Sequence, residues 1–133
     1  MLSRNFFNRN AITTAKALLG KILRAWYDKV WLCAQIIETE AYFQNEKVSH
    51  ASLGYINKRK ALFMSPGTIY MYYARGSDSL NVSCREKGNA VLIKSGYPYK
   101  NGEKTDKMNP MIQKLNPPKY GNGVRLIERL CAG

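Results

Sequence analysis

The chain has 133 residues, 45% of them hydrophobic, and carries 21 Lys and Arg against nine Asp and Glu, a formal charge of +12. Such a length suits one domain with a real core, and the mix of apolar and charged residues excludes intrinsic disorder. No apolar run approaches the roughly 18 residues that cross a bilayer, and "MLSRNFFNRNAITT" has no secretory pattern, so a cytoplasmic protein without a membrane partner is expected.

Asn10 is placed to cap a first helix, with Ala11, Ile12, Ala15, Leu18 and Leu19 at helical spacing and Gly20 at its end. "KILRAWY" and "VWLCAQIIETEAY" flank Asp28-Lys29, which predicts an antiparallel hairpin. Residues 43–60 read as polar and irregular, ending in the basic run "NKRK". Pro66-Gly67 signals a turn and "TIYMYYA" a third strand, after which "LNVSCR", the turn "EKGN" and "AVLIKSGY" predict a second hairpin. Helical patterns follow at about 103–115 and 124–131, separated by the rigid loop "NPPKYGNG". The order predicts a mixed α/β (α+β) single domain, residues 1–133, of mainly antiparallel strands flanked by helices. A dinucleotide-binding βαβ fold is not expected, because no GxGxxG follows a strand.

Cationic residues run from Arg4 to Arg129 and few acids balance them, which favours a polyanionic partner, nucleic acid before membrane. Cys33, Cys84 and Cys131 are odd in number and far apart, so reduced, mostly buried thiols are expected rather than disulfides or a zinc site.

The stretch "IIETEAYFQNEKVSH" (36–50) carries the chemistry. Strand alternation puts Glu38, Glu40 and Tyr42 on one face and Ile37, Thr39 and Ala41 on the other, with the two carboxylates about 7 Å apart. One carboxylate holding a water beside an electron-poor carbon suits glycosidic-bond hydrolysis. The plainer alternative is a solvated face on which both glutamates pair with lysines. His50, the only histidine, is by itself as compatible with a structural hydrogen bond as with catalysis. Tyr70 and Tyr72 share a strand face; such rings either stack bases or fill a β-core.

Taken together, "LLGKIL" (18–23), "IIETEAY" (36–42), His50, "MSPGTIYMYY" (64–73), "LNVS" (80–83), "GNAVLIK" (88–94) and "RLIERLCAG" (125–133) resemble the alkyladenine (3-methyladenine) DNA glycosylases, or methylpurine glycosylases. The resemblance spans nearly the whole chain, in order. It implies a curved antiparallel sheet and a monofunctional enzyme that flips a damaged purine out of duplex DNA and hydrolyses its N-glycosidic bond. Glu40 matches the family's catalytic glutamate, which deprotonates the attacking water and stabilises an oxocarbenium-like sugar. Tyr42, His50 and Tyr72 match the walls around the flipped base, Asn81 the asparagine that rejects normal guanine, and Lys94 a family arginine at the pocket and DNA. Electron-rich rings of this kind suit cationic alkylated purines.

The resemblance further implies no metal, no cofactor and no Schiff-base lyase activity. The implied partner is double-stranded DNA containing alkylated or deaminated purines, bound by a monomer in the bacterial cytoplasm. DNA contacts are expected from Arg75, Gly76, Lys94, Lys58, Arg59 and Lys60. Arg75 stands where the family has an intercalating tyrosine, and the stretch from Gly76 to Asn81 is one residue short of the family pattern. The chain also stops where family members continue, so truncation at the C-terminus is expected. Two other readings are a non-catalytic nucleic-acid-binding remnant and a basic RNA-binding module with structural glutamates.

Overall fold

The computed structural model describes residues 1–74, 77–99 and 105–115. The expectations for "NPPKYGNG", the 124–131 helix, "RLIERLCAG" and Cys131, and those for Arg75 and Gly76, concern positions outside the described residues. Helices α1 (Arg4–Phe7) and α2 (Ala11–Leu18) precede strands β1 (Ile22–Tyr27) and β2 (Val30–Tyr42). Two 3-10 helices, His50–Leu53 and Asn57–Phe63, lead to β3 (Ile69–Ala74), β4 (Ser77–Ser83), β5 (Ala90–Pro98) and helix α3 (Thr105–Leu115). The strands are hydrogen-bonded in the order β1-β2-β5-β4-β3, and β1–β2, β3–β4 and β4–β5 run antiparallel. The fold class is the α+β one expected. The described residues fall into two units: residues 1–19, 38–74 and 77–94 form one, and residues 20–37, 95–99 and 105–115 the other.

In the first unit α2 starts where expected, the Asn10 side chain accepting from the Ile12 N–H at 2.9 Å. It buries Ala11, Thr14, Ala15 and Leu18, the i, i+3, i+4, i+7 stripe of an amphipathic helix. The Thr39 hydroxyl donates to the Ala15 carbonyl at 3.1 Å, which ties that helix to β2 on the side away from Glu38 and Glu40. Ala51, Leu62, Tyr70 and Ala90 form a core cluster, so the two 3-10 helices pack on β3 and β5.

That packing corrects the sequence reading of residues 43–60. "NKRK" sits in the second 3-10 helix, not in an irregular loop. Local pattern failed there because 3-10 segments are short and carry no 3.6-residue periodicity. The Pro66-Gly67 turn is held by buried Ser83, whose hydroxyl accepts from the Thr68 N–H and donates to the Ser65 carbonyl. Gly67 has φ +86°, and a Cβ there would stand 3.0 Å from the Phe7 ring. Only glycine suits both conditions.

In the second unit β1 and β2 form the expected hairpin, with Tyr27 opposite Val30. Asp28 (φ 44°) and Lys29 (φ 62°) both take positive φ, as a type I′ two-residue turn demands. Cys33 is buried against Met108 and Ile112, one helical turn apart on α3, with Ile22, Val30 and Leu32 around them. Cys33 and Cys84 are both free and buried, as expected for those two thiols.

Candidate active site

β2 carries the first half of the site. Glu40 and Tyr42, two residues apart, point the same way, and the Tyr42 hydroxyl donates to Glu40 Oε2 at 2.6 Å. Lys94 on β5, the strand beside β2, closes on the other carboxylate oxygen, Nζ to Oε1 at 2.5 Å. The pair is about one-third exposed on each side, 38% for Lys94 and 32% for Glu40, so water reaches it. Hydrogen bonds from Lys94 and then Tyr42 hold the Glu40 carboxyl below its ordinary range. Giving its proton to that bond, and losing water to burial, pushes the Tyr42 phenol up to about 12. At neutral pH the result is an ionised carboxylate flanked by an ammonium and a neutral phenol.

The second half is aromatic. The His50 ring lies 4.0 Å from the Tyr72 ring, centroid to centroid, with planes 34° apart. His50 Nδ1 is 3.3 Å from the Tyr70 hydroxyl. His50 opens the first 3-10 helix, whose start is capped by the Ser49 hydroxyl accepting from the Ala51 N–H. The Arg59 guanidinium donates to the His50 carbonyl at 3.1 Å. Tyr72 is also a lesser electrostatic cause of the raised Tyr42 phenol, so the two halves lie within electrostatic reach of each other. All these residues lie within the first unit.

Glu40, Tyr42, Lys94, His50 and Tyr72 are thus brought together. Asn81 is buried on β4 opposite Tyr70, and its Nδ2 donates to the Ser79 carbonyl at 3.4 Å. Lys58 and Lys60 are exposed, whereas Arg59 is half-buried with its guanidinium turned to the His50 backbone. Glu38 is exposed. The lysine partner imagined for a merely structural glutamate does exist, for Glu40, and it is Lys94 itself. The pairing and the candidate chemistry therefore share one carboxylate.

Two further contacts at the candidate site escaped sequence reasoning. Tyr70 was legible as sharing a face with Tyr72, but its bond to His50 spans 20 residues. Arg59 read as one more cation in a basic run, and no local signal separates it from Lys58 and Lys60. Among the described residues, no group of three or more His, Cys, Asp or Glu side chains is placed to hold a metal ion.

Residues 5–132 match the methylpurine-DNA glycosylase (MPG) family. A Pseudomonas aeruginosa protein named "Putative 3-methyladenine DNA glycosylase" is 54% identical over 132 residues, 99% of this chain and 55% of its own length. Proteins of the same name from Pseudomonas syringae pv. tomato and Clostridium perfringens are 52% and 40% identical, over 99% and 80% of this chain. Those alignments cover 59% and 55% of the relatives, so the chain spans little more than half the length of the curated proteins it matches. With a family match over nearly every residue and identity above one-half to full-length relatives, the chain belongs to the methylpurine-DNA glycosylase family.

Proposed function

We propose that the protein is a DNA repair glycosylase that hydrolyses the N-glycosidic bond of alkylated purines, with water as nucleophile and Glu40 as the activating carboxylate. The observation that carries this reading is the Lys94–Glu40–Tyr42 array beside the stacked His50–Tyr72 pair. Among the described residues each Glu40 oxygen accepts one hydrogen bond, and a carboxylate oxygen has a second lone pair with which to hold water. That water attacks C1′ of the deoxyribose; the C1′–N bond breaks, the base leaves with the electron pair, and Glu40 takes the proton from water. An alkylated purine bearing positive charge leaves as a neutral base and requires no general acid. The negative charge of Glu40 also opposes the positive charge growing on the sugar.

A purine reaches such a site only when turned out of the duplex, and the His50–Tyr72 pair supplies the π-face that receives it. Asn81 on β4 is the proposed discriminator against normal guanine. Lys58, Lys60 and Arg75 are the proposed phosphate-side cations, with Gly76 and Lys94 as further proposed DNA contacts. Arg59 serves the His50 backbone first. The substrate extends to deaminated purines, no lyase step follows, and the chain works as one domain and as a monomer. Its place of action is the cytoplasm, where bacterial DNA lies; no helix among the described residues is long and apolar enough to cross a membrane.

The test is base release from duplex DNA carrying 7-methylguanine or 3-methyladenine, read by chromatography of the freed base. Release that depends on Glu40 supports the assignment. Binding without release leaves the chain a nucleic-acid-binding member of its family, and equal affinity for undamaged RNA points to an RNA-binding module.

A further inference from the structure

The Tyr70 hydroxyl stands against His50 Nδ1 at 3.3 Å, and among the described residues this is the one hydrogen bond the hydroxyl makes. Tyr70 is only 6% exposed and belongs to the core cluster with Ala51, Leu62 and Ala90. A buried O–H without an acceptor costs the full desolvation of that group, so the phenol must donate rather than merely accept. Burial, and after it the neighbouring Tyr72, raises the Tyr70 phenol above its ordinary range, so it keeps the proton it has to give. A nitrogen that accepts carries no hydrogen, and in a neutral imidazole the other nitrogen then carries it.

We propose that Tyr70 is a positioning residue: its hydroxyl donates to His50 Nδ1, which holds the imidazole beside Tyr72 and places the ring hydrogen on Nε2. In the neutral form of the ring, the wall beside Tyr72 then offers a single N–H donor, oriented from behind by Tyr70. Three rings make the device, for Tyr70 and Tyr72 are themselves 5.4 Å apart with planes 32° from parallel. Arg59 completes it from the backbone side by holding the His50 carbonyl. The consequence for DNA, an Nε2–H donor offered to an acceptor on the captured nucleotide, rests on the glycosylase reading above. The tautomer itself does not.

His50 is the only histidine in the chain, so long-range proton–nitrogen correlation spectra of nitrogen-15-labelled protein report one ring without mutagenesis or assignment. The expected wild-type spectrum of the neutral ring has a protonated Nε2 and a bare Nδ1. In Tyr70→Phe, which keeps the packed ring and deletes one oxygen, that single pattern gives way to shifts averaged between tautomers. A wild-type spectrum with the hydrogen on Nδ1, or a Tyr70→Phe spectrum unchanged from wild type, overturns the proposal. The first of these results needs no variant and survives any folding defect.

A second arm measures the dissociation constant for duplex DNA bearing an abasic-site analogue, where Tyr70→Phe is expected to bind about 2- to 10-fold more weakly. Equal binding by the two proteins overturns the positioning role in DNA capture. Should the wild type itself ignore DNA, the glycosylase reading fails while the spectra still decide the tautomer.

Discussion

Two aromatic clusters of this molecule have nearly the same composition and differ in what surrounds them. At the end of the β1–β2 hairpin, Trp26 and Trp31 are cross-strand partners with rings 5.1 Å apart, edge to face, and the Arg24 guanidinium lies 4.6 Å from the Trp31 centroid. Beside β3, His50 stacks on Tyr72, and Tyr70 and Arg59 bind it from either side. Each has aromatic rings and an arginine. The hairpin tryptophans are exposed, 58% and 47%, and among the described residues their rings meet each other and the Arg24 guanidinium. In the second cluster His50 is held by directional hydrogen bonds, between its ring and Tyr70 and from Arg59 to its carbonyl, in the same unit as a carboxylate whose pKa is lowered. Aromatic and cationic composition is common to both clusters, whereas directional bonding near a shifted titratable group distinguishes the candidate site.

The largest expected break in that contrast comes from Glu40→Gln, which keeps shape and removes the proposed base. Base release should fall by about 10²- to 10⁴-fold while binding to abasic duplex survives. Glu38→Gln, on the same strand but exposed, should lose far less, and single-turnover rates on the two variants decide between them.

Stacking separates the two clusters next. Tyr72→Ala should weaken lesion-DNA binding by about 1–3 kcal/mol, the worth of one base–aromatic contact. Trp26→Ala should leave binding and base release unchanged and cost only about 1 kcal/mol in thermal or urea unfolding. If Trp26→Ala weakened DNA binding as much as Tyr72→Ala, the hairpin would be part of the interface and the contrast would collapse.

Salt dependence sharpens the comparison from the side of the phosphates. Neutralising about five of them gives log affinity a slope of about −4 to −5 against log salt concentration. Lys58→Ala and Lys60→Ala should each lower that slope by about 1, whereas Arg24→Ala should leave it alone. A slope near zero in the wild type would remove backbone contacts from the account.

The smallest expected effect is a displacement of the pH profile. Lys94 is the first cause of the lowered Glu40 pKa, so Lys94→Met should move the acid limb of kcat/KM upward, and Lys94→Arg should restore it. The sign for stability follows from the same pair. A carboxyl lowered on folding stabilises above its unfolded value near 4.5, and that contribution is lost as pH falls through the folded value. Wild type should lose more stability than Lys94→Met on acidification below about pH 4.5, as urea midpoints at successive pH values will show. Tyr42 acts at the other end. Its phenol is raised to about 12, so its contribution is present below pH 10 and lost as pH rises toward 12.

Much was decided by the amino-acid sequence alone. Asn10 capping α2, the Asp28-Lys29 turn, the strands around "ETEAY" and "TIYMYY", and α3 follow from side-chain preferences acting over a few residues. So does the shared face of Glu40 and Tyr42, because a strand alternates whatever it packs against. The family pattern added which of the two glutamates to single out. Tertiary structure alone decided the rest. Lys94 meets Glu40 across 54 residues of chain, Tyr70 meets His50 across 20, and Arg59 is withdrawn from its basic run to a backbone carbonyl. Such contacts leave no period and no spacing, since they arise where separate strands and 3-10 turns are laid side by side. Hydrogen-bond partners there are set by register between β2, β5 and β3 and not by neighbours along the chain. The protonation state of Glu40, on which the proposed chemistry turns, belongs to that second class.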